Sequence, residues 1–339
     1  MISSKPWPAA LGAAVILGAT LVGGAPTTAA APSADSALVT AIAGTTRSTP
    51  WVLARRLRLT FPTFHPQGFA RVGNRLFLSS VEIIERPVRY PEPVGGYDRS
   101  PGQGRGHVFV LDLAGNLLRD IVLAEGDMYH PGGIDADGRS LWVPVAEYRP
   151  NSRAIVYRID LATLAVSTAF RVDDHIGGVV ADPGTGRVHG VSWGSRTFYA
   201  WTRQGRLVDR RPNPSHFIDY QDCAYTGRRM MACTGITEYA NAAGARFELG
   251  GIALVDLRSS TVRHEVPFQH YSAAGHVATR NPVHLEVSGA TLRLWAAPDD
   301  GEEINGTEIL VYEAALPRSV ALRAQQRADA PPPHAILVP

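Results

Sequence analysis

The sequence predicts an all-β, five-bladed β-propeller with four-stranded antiparallel blades. A repeated hairpin, a repeated four-strand unit and a spare N-terminal strand all favour this fold. The hairpin recurs five times, and its first strands begin at His65, His130, His175, Tyr220 and Asn281. A second apolar segment follows each turn, and these segments are Leu76–Glu82, Leu141–Glu147, Val188–Gly194, Met231–Thr237 and Leu292–Pro298. A hairpin that recurs at roughly 45 to 65 residues is typical of a radial repeat.

Two further strands follow each of the first four hairpins. They are Gly106–Leu113 and Leu117–Leu123, Ala154–Asp160 and Val166–Val172, Thr197–Trp201 and Gly205–Val208, and Gly251–Asp256 and Thr261–Val266. The fifth unit ends after its third strand, Glu308–Glu313, while the strand Ala54–Thr60 has no hairpin of its own. Pairing these two segments closes the ring and removes open sheet edges.

Two other architectures are compatible with a strand-rich chain of this length. A sixth blade would have to lie in 86–103 or 268–280, and both stretches are rich in Pro, Gly or polar residues and are predicted to be loops. A β-sandwich would not require a repeated four-strand unit, so the propeller is favoured.

The two ends of the chain differ in composition from the propeller at 51–316. Residues 1–30 are predicted to be a secretory signal peptide, with Lys5 before an apolar run and Thr28-Ala29-Ala30 as the cleavage pattern. A membrane anchor is the alternative, but the run is short. Residues 31–50 are predicted to be a flexible leader and 317–339 a disordered tail. The protein is therefore expected to be secreted, with no transmembrane segment in the mature chain.

Charge and cysteine content restrict the partners and the compartment. The net charge of +2 falls to +1 when Lys5 is removed, which gives no reason to expect nucleic acid or an anionic membrane as a partner. The mature protein is expected to be a monomer. Cys223 and Cys233 flank the turn at 226–229 and are predicted to form a disulfide, with two buried thiols as the alternative.

The spacing between histidine and glutamate repeats in two hairpins. Glu82 follows His65 by 17 residues, and Glu147 follows His130 by the same interval. An antiparallel hairpin is expected to place each His opposite its Glu. His175 is then expected at the same height as the other two histidines, at the axial mouth of the propeller.

These side chains suggest acid–base or metal chemistry. A His–Glu pair can act as a general base or acid, so His130, Glu147, His65 and Glu82 are the candidate catalytic residues. His65, His130 and His175 are candidate ligands of one divalent metal ion. Other candidate ligand-binding residues are His175, Trp193, Tyr220, Asp222, Asn281, His284 and Asp299. The alternative is that the histidines are structural and cap their hairpins or bond a neighbouring blade.

The segment Gly190–Gly194 matches the G-x-S-x-G pattern of serine hydrolases. That pattern requires a strand, a sharp turn and then a helix. Because this copy lies on the second strand of a propeller hairpin, it is interpreted as a coincidental match.

The His-Pro-x-Gly entry at His65 and His130, with the strand that follows it, resembles an uncharacterised family of secreted bacterial proteins with a predicted propeller fold. It is more distantly similar to the superfamily of gluconolactonases and strictosidine-synthase-like proteins. The resemblance covers residues 51–316 and implies the fold. Those relatives usually hold a metal with carboxylates and asparagines and commonly have six blades. This chain offers mainly histidines instead, so no catalytic residue is transferred.

The functional hypothesis is a small-molecule or metal site at the axial mouth, acting as a hydrolase or a lyase-like enzyme. The alternative is a non-catalytic propeller that binds a sugar, a peptide or a cell-wall component, with Trp193 and Tyr220 as walls.

Overall fold

The computed structural model describes residues 34–316, which form a five-bladed β-propeller as the sequence predicts. Each blade is a four-stranded antiparallel sheet, and in blade 2 the innermost strand is divided into two short segments. The predicted signal peptide and the predicted tail lie outside the described residues. Within the described part of the chain, none of the helices has the length and apolar character needed to cross a lipid bilayer.

The elements follow one another in blade order, after helix α1 (Ala34–Ala43) and strand β1 (Val52–Arg58). Blade 1 contains β2 (His65–Val72), β3 (Arg75–Glu85), an inserted hairpin of β4 (Arg89–Val94) and β5 (Tyr97–Arg99), β6 (Gln103–Asp112) and β7 (Leu117–Leu123). Blade 2 contains β8 (Met128–Pro131), β9 (Asp135–Ala136), β10 (Ser140–Glu147), β11 (Ala154–Asp160) and β12 (Val166–Val172). Blade 3 contains β13 (Ile176–Asp182), β14 (Arg187–Ser192), a 3₁₀ turn (Trp193–Ser195), β15 (Thr197–Thr202) and β16 (Leu207–Pro212).

The last two blades are built in the same way. Blade 4 contains β17 (Asp219–Gly227), β18 (Met230–Ala240), β19 (Arg246–Asp256) and β20 (Thr261–Phe268). Blade 5 contains β21 (Val283–Ser288), β22 (Thr291–Ala296) and β23 (Glu308–Ala315), and its fourth strand is β1. Strand β1 pairs antiparallel with β23, with Leu57 opposite Ile309, which confirms the predicted ring closure.

Helix α1 lies in the stretch that the sequence predicts to be a flexible leader, and this part of the prediction is corrected. Ala41 and Ile42 are buried in a core cluster that also contains Ile252 and Leu294 of blades 4 and 5. Leu38 is partly buried against the same cluster, so residues three and four apart form one apolar face. The small residues of the leader concealed this helical spacing.

The two stretches that could have held a sixth blade form a short hairpin and a mostly irregular segment. Residues 86–103 are not entirely a loop, because β4 and β5 form a short hairpin there. Residues 268–280 carry one isolated bridge, between Tyr271 and Val277, and are otherwise irregular, as predicted. Neither stretch forms a blade.

Buried carboxylates connect the blades at the axis. Asp222 of blade 4 accepts hydrogen bonds from the backbone N–H groups of Phe69 at 2.8 Å, Ile134 at 3.1 Å and Val283 at 3.2 Å, in blades 1, 2 and 5. Asp135 of blade 2 accepts from Ala181 of blade 3 at 3.0 Å. These bonds hold the inner strands of all five blades together.

The disulfide predicted between Cys223 and Cys233 is present. The two residues are direct neighbours on β17 and β18, and their Cα atoms are 4.1 Å apart. The bond links the two innermost strands of blade 4, close to Asp222 in the sequence.

Candidate functional site

Four blades contribute the walls of a cavity of about 240 Å³ at the axial end where the inner strands begin. Five of the residues predicted to form a site line it: His65, His130, His175, Trp193 and Tyr220. Gln67, Arg99, Tyr148, Ser192, Asp219 and Gln221 also contribute. The structure therefore brings together the first residues of four successive repeats. We call this space the axial cavity.

The predicted pairing of each His with its Glu is wrong by one position. A bulge between Pro66 and Gly68 places His65 opposite Val81. In blade 2, His130 lies opposite Ala146, and an irregularity between Ala146 and Glu147 leaves Glu147 opposite Met128. Because successive side chains of a strand point to opposite faces, a one-residue shift turns the carboxylate away from the imidazole.

The two glutamates instead bind arginines, and neither lines the axial cavity. The Glu82 carboxylate accepts a hydrogen bond from Arg105 at 2.8 Å. Glu147 is fully buried and accepts from Arg149 Nε at 2.6 Å and from Arg153 Nε at 2.7 Å. Their predicted role beside the candidate catalytic histidines is therefore corrected, since paired carboxylates of this kind stabilise the blade rather than orient an imidazole.

His65 has a carboxylate partner that the hairpin spacing did not indicate. Its Nδ1 lies 2.6 Å from Oδ1 of Asp300, which belongs to the loop between β22 and β23. An ionised carboxylate can only accept, so Nδ1–H donates, and in the neutral ring the lone pair lies on Nε2. A carboxylate that fixes the tautomer in this way is the usual support of a histidine that acts as a general base.

His130 and His175 differ in their hydrogen bonding. His175 Nδ1 donates to the backbone carbonyl of Glu147 at 2.8 Å. His130 is buried, and neither of its ring nitrogens has a hydrogen-bond partner. Its ring stacks on Tyr148 with the centroids 4.1 Å apart, and the His130 and His175 centroids are 5.9 Å apart. Trp193 packs edge-on against His175 at 4.7 Å, so aromatic rings form one wall.

Both of these imidazoles are neutral near pH 7. Burial lowers the pKa of His130 well below its usual value, and the neighbouring His175 and His65 lower it further. Burial lowers the pKa of His175 to about 4. Burial also raises the pKa of Asp219, against the effect of the Arg196 guanidinium 3.1 Å away. Perturbed titratable groups that share one cavity are characteristic of functional sites.

The lowered pKa of His175 predicts an acid-sensitive fold. The unfolded chain protonates this imidazole below about pH 6.5, whereas the folded protein resists protonation until about pH 4. Stability is therefore present above pH 6.5 and is lost as the pH falls through this window, by up to about 3 kcal/mol from this group. Asp135, with a pKa raised to about 7 by burial, has the opposite slope.

The measurement is urea unfolding of the wild type and of His175→Gln at a series of pH values. We expect the stability difference between the two proteins to narrow as the pH falls from 6.5 to 4, because only the wild type carries this imidazole. A constant difference would contradict the lowered pKa. Comparing the two proteins cancels the contribution of Asp135.

Metal binding by the three histidines stays a prediction. Among residues 34–316, no three His, Cys, Asp or Glu side chains are arranged as a ligand set for a metal ion. The Nδ1 atoms of His65 and His175 are also held by other groups, which leaves one ring nitrogen on each.

Four other predicted ligand-binding residues do not line the axial cavity. Asp222 is buried at the propeller axis, where it accepts the backbone hydrogen bonds described above. Asn281 is buried and donates to the Pro298 carbonyl at 3.4 Å. His284 lies beside Glu286, and burial lowers its pKa to about 4. Asp299 is buried and accepts from the Ser272 hydroxyl. Blade 5 therefore reaches the site through Asp300 rather than through its first strand.

A second cavity, of about 520 Å³, lies beside the axial cavity. Its lining residues are His65, Val81, Ile83, Arg86, Tyr148, Arg280, Asp300, Glu302 and Glu303. His65 and Tyr148 line both spaces. We call it the side cavity.

Sequence reasoning missed Tyr148, Arg99 and Arg280. Tyr148 directly follows the end of a predicted strand, and this position could have indicated that its side chain lies near the site. Arg99 and Arg280 lie in the two stretches that were predicted to be loops, where no periodic pattern indicates a direction for the side chain.

The G-x-S-x-G match is not a nucleophile elbow. Ser192 ends β14, and a 3₁₀ turn follows it rather than an α-helix. The Ser192 hydroxyl accepts from the Thr197 backbone N–H at 3.0 Å and has no basic side chain as a hydrogen-bond partner. It holds the turn that presents Trp193.

Solved structures with a similar fold are distant in sequence. The tail fibre of Staphylococcus aureus phage P68 gives a TM-score of 0.45 at 9% identity, over 84% of this chain and 56% of that chain. An α-L-arabinofuranosidase from Fusarium graminearum gives 0.44 at 6% identity, over 78% and 98%. A luciferin-regenerating enzyme gives 0.39 at 9% identity, over 77% and 95%. At these TM-scores the similarities carry no functional argument.

The family of the chain follows from its sequence. The model of a family of unknown function (DUF6454) matches residues 26–318, so the chain belongs to that family. No curated protein matches it. The wider resemblance to gluconolactonases and strictosidine-synthase-like proteins stays a prediction.

Proposed function

We propose that this member of the DUF6454 family binds a small hydroxylated molecule, such as one unit of a sugar, in the axial cavity. His130 is the observation that carries the proposal. Its imidazole is buried and neutral, belongs to the cavity lining and has no hydrogen-bond partner from another residue at either nitrogen.

A buried polar group without a partner costs about 1 to 3 kcal/mol, so such groups are normally satisfied in native proteins. A neutral imidazole has one donor and one acceptor. A hydroxyl group offers the same pair, so a polyhydroxylated ligand can satisfy the ring once the side chains that cover its nitrogens move aside. The rings of Tyr148 and Trp193 lie beside it and can pack against the apolar face of a sugar.

The test is binding of monosaccharides and their uronic acid and N-acetyl forms, followed by calorimetry and thermal unfolding. We expect at least one of these compounds to bind the wild type. His130→Phe is expected to weaken that binding about tenfold or more, because it removes a charge-free hydrogen bond in a buried site. His189→Phe is the matched control, since His189 is also buried and neutral but lies away from the cavity.

A second variant tests the cavity itself. Gly177 belongs to the cavity lining, and a Cβ atom added there would meet its nearest neighbours only at ordinary van der Waals distances, from 3.5 Å. Gly177→Leu should therefore fill the space, keep the fold and abolish binding. Equal affinity in the wild type, His130→Phe and Gly177→Leu would rule the axial cavity out.

We also propose that the protein works outside the cell, as the composition of residues 1–30 predicts. The Cys223–Cys233 disulfide supports this, because such bonds persist in oxidising compartments. Detection of the mature chain in the culture medium of the producing organism would test it.

A further inference from the structure

The boundary between the two cavities carries groups suited to proton transfer. His65 and Tyr148 line both spaces, so a ligand in either cavity can contact the same two side chains. His65 is held at Nδ1 by Asp300, which leaves Nε2 as the ring atom available to a ligand. Tyr148 retains its proton, because burial raises its pKa. One candidate base and one candidate acid therefore border both cavities.

Three arginines and the Asp300 carboxylate act electrostatically on the Tyr148 hydroxyl. The guanidinium groups of Arg86, Arg99 and Arg280 each lower the pKa of Tyr148, although burial outweighs them. Arg99 is bound to Asp98 at 2.8 Å, and Arg280 lies 3.5 Å from Glu248. Arg86 makes no ion pair with a residue of 34–316 and lines the side cavity. An anionic group of a ligand would be its natural partner.

The side cavity also carries carboxylates, and Arg280 Nη1 lies 4.0 Å from Asp300 and 3.9 Å from Glu303, so Arg86 is its arginine without a carboxylate partner among residues 34–316. Asp300 is bonded to His65. Glu303 lies 2.7 Å from Nε2 of His276, whose other nitrogen lies 2.9 Å from Glu248. Glu302 is exposed to solvent. Two of the three carboxylates lining this cavity thus have a histidine partner.

We propose that this junction cleaves sugar polymers that carry carboxylates, by β-elimination at a uronate residue. The proposal rests on the proposed function, since it needs a sugar unit in the axial cavity. Arg86 and Arg280 are assigned to the carboxylate of the uronate, His65 to proton removal and Tyr148 to protonation of the leaving oxygen.

The reaction balances without a further reactant. His65 Nε2 removes the proton on C5, next to the carboxylate, and the arginines stabilise the negative charge that develops on the carboxylate. The electrons of the C5–H bond form a C4=C5 double bond as the C4–O bond breaks. The leaving oxygen takes the Tyr148 proton, and the proton on His65 returns to the phenolate through solvent. The products are a new hydroxyl end and an unsaturated uronate.

The test is incubation of the purified full chain with polygalacturonate, alginate and hyaluronan. We expect at least one polymer to yield products that absorb ultraviolet light through the conjugated double bond and are one water lighter than hydrolysis products. The same polymer with its carboxylates reduced to alcohols should not be cleaved.

Variants assign the groups. His65→Gln and Tyr148→Phe are expected to lower kcat about 100-fold or more, and Tyr148→Phe keeps the aromatic ring on His130. Asp300→Asn is expected to lower kcat with little change in KM, since Asp300 is a positioning residue. Asp120→Asn is the matched control, because it breaks a second His–Asp contact, with His107 at 3.0 Å, that lines neither cavity.

Two kinds of failure can be separated. Binding of a uronate with no cleavage, or cleavage to saturated products, overturns the elimination but leaves the proposed function intact. Equal rates in Asp300→Asn and Asp120→Asn, with both folded by circular dichroism, also overturn it. If the protein shows neither binding nor cleavage, both proposals are overturned.

Discussion

Asp222→Ala is expected to lower the free energy of unfolding by about 4 kcal/mol or more. The carboxylate is buried and accepts backbone hydrogen bonds from Phe69, Ile134 and Val283. Each buried N–H group left without a partner costs about 1 to 3 kcal/mol, and truncation removes the acceptor of all three at once. Urea unfolding of the wild type and the variant at pH 7 measures the difference.

Two further variants identify the cause. Asp222→Asn keeps one oxygen, which can serve Phe69 and Val283, but it turns an amide N–H₂ toward the Ile134 N–H. We expect an intermediate loss. Asp127→Ala removes an exposed carboxylate and should change stability by about 0.5 kcal/mol or less. If Asp222→Ala is no less stable than Asp127→Ala, the axial hydrogen bonds do not hold the blades together.

The same hydrogen bonds position the candidate site. Phe69 follows His65 on β2, and Ile134 follows His130 in blade 2, so Asp222 fixes the strand starts that carry both histidines. Val283 opens the strand of the blade that supplies Asp300. A change at Asp222 is therefore expected to weaken ligand binding as well as stability, although the residue does not line the cavity.

The blade number and the ring closure could be predicted because they depend on local patterns. Each hairpin can be recognised in the sequence by its alternating apolar residues and its turn. The unpaired strand at 54–60 matches the strand missing from the last unit. The gathering of His65, His130 and His175 followed from symmetry, since equivalent positions of a radial repeat meet near the axis.

The partners of those histidines could not be predicted in the same way. Counting residues places Glu82 opposite His65 only if the ladder is regular, and a single bulge near Gln67 changes the face. The actual partner, Asp300, lies 235 residues away in a loop, where side-chain direction depends on tertiary contacts. The positions of Arg99 and Arg280 could not be predicted for the same reason, because both residues lie in the two stretches that were predicted to be loops. The repeats thus predict which strand starts meet at the site, but they do not predict the charged side chains that surround it.

Removal of strand β1 is expected to abolish the cooperative fold. A chain that begins at Thr60 loses the outer strand of blade 5 and leaves the β23 edge unpaired from Glu308 to Glu313. It also removes Leu57 and Leu59, which are buried in a cluster with Leu111, Trp295 and Ile309. An open edge beside an uncovered apolar surface favours association between chains. Urea unfolding and size-exclusion chromatography should show a broad transition and aggregates.

The matched control is a chain that begins at Thr49, which lacks helix α1 but keeps β1. It loses the packing of Ala41 and Ile42 on blades 4 and 5, at a cost of a few kcal/mol at most, and should still unfold cooperatively without aggregating. A synthetic peptide of residues 50–60 added to the shorter chain provides the missing strand without the covalent link. Because β1 is held by its pairing with β23 and by two buried leucines, the peptide should restore cooperative unfolding. If the shorter chain alone already unfolds as sharply as the control, the ring does not depend on this closure.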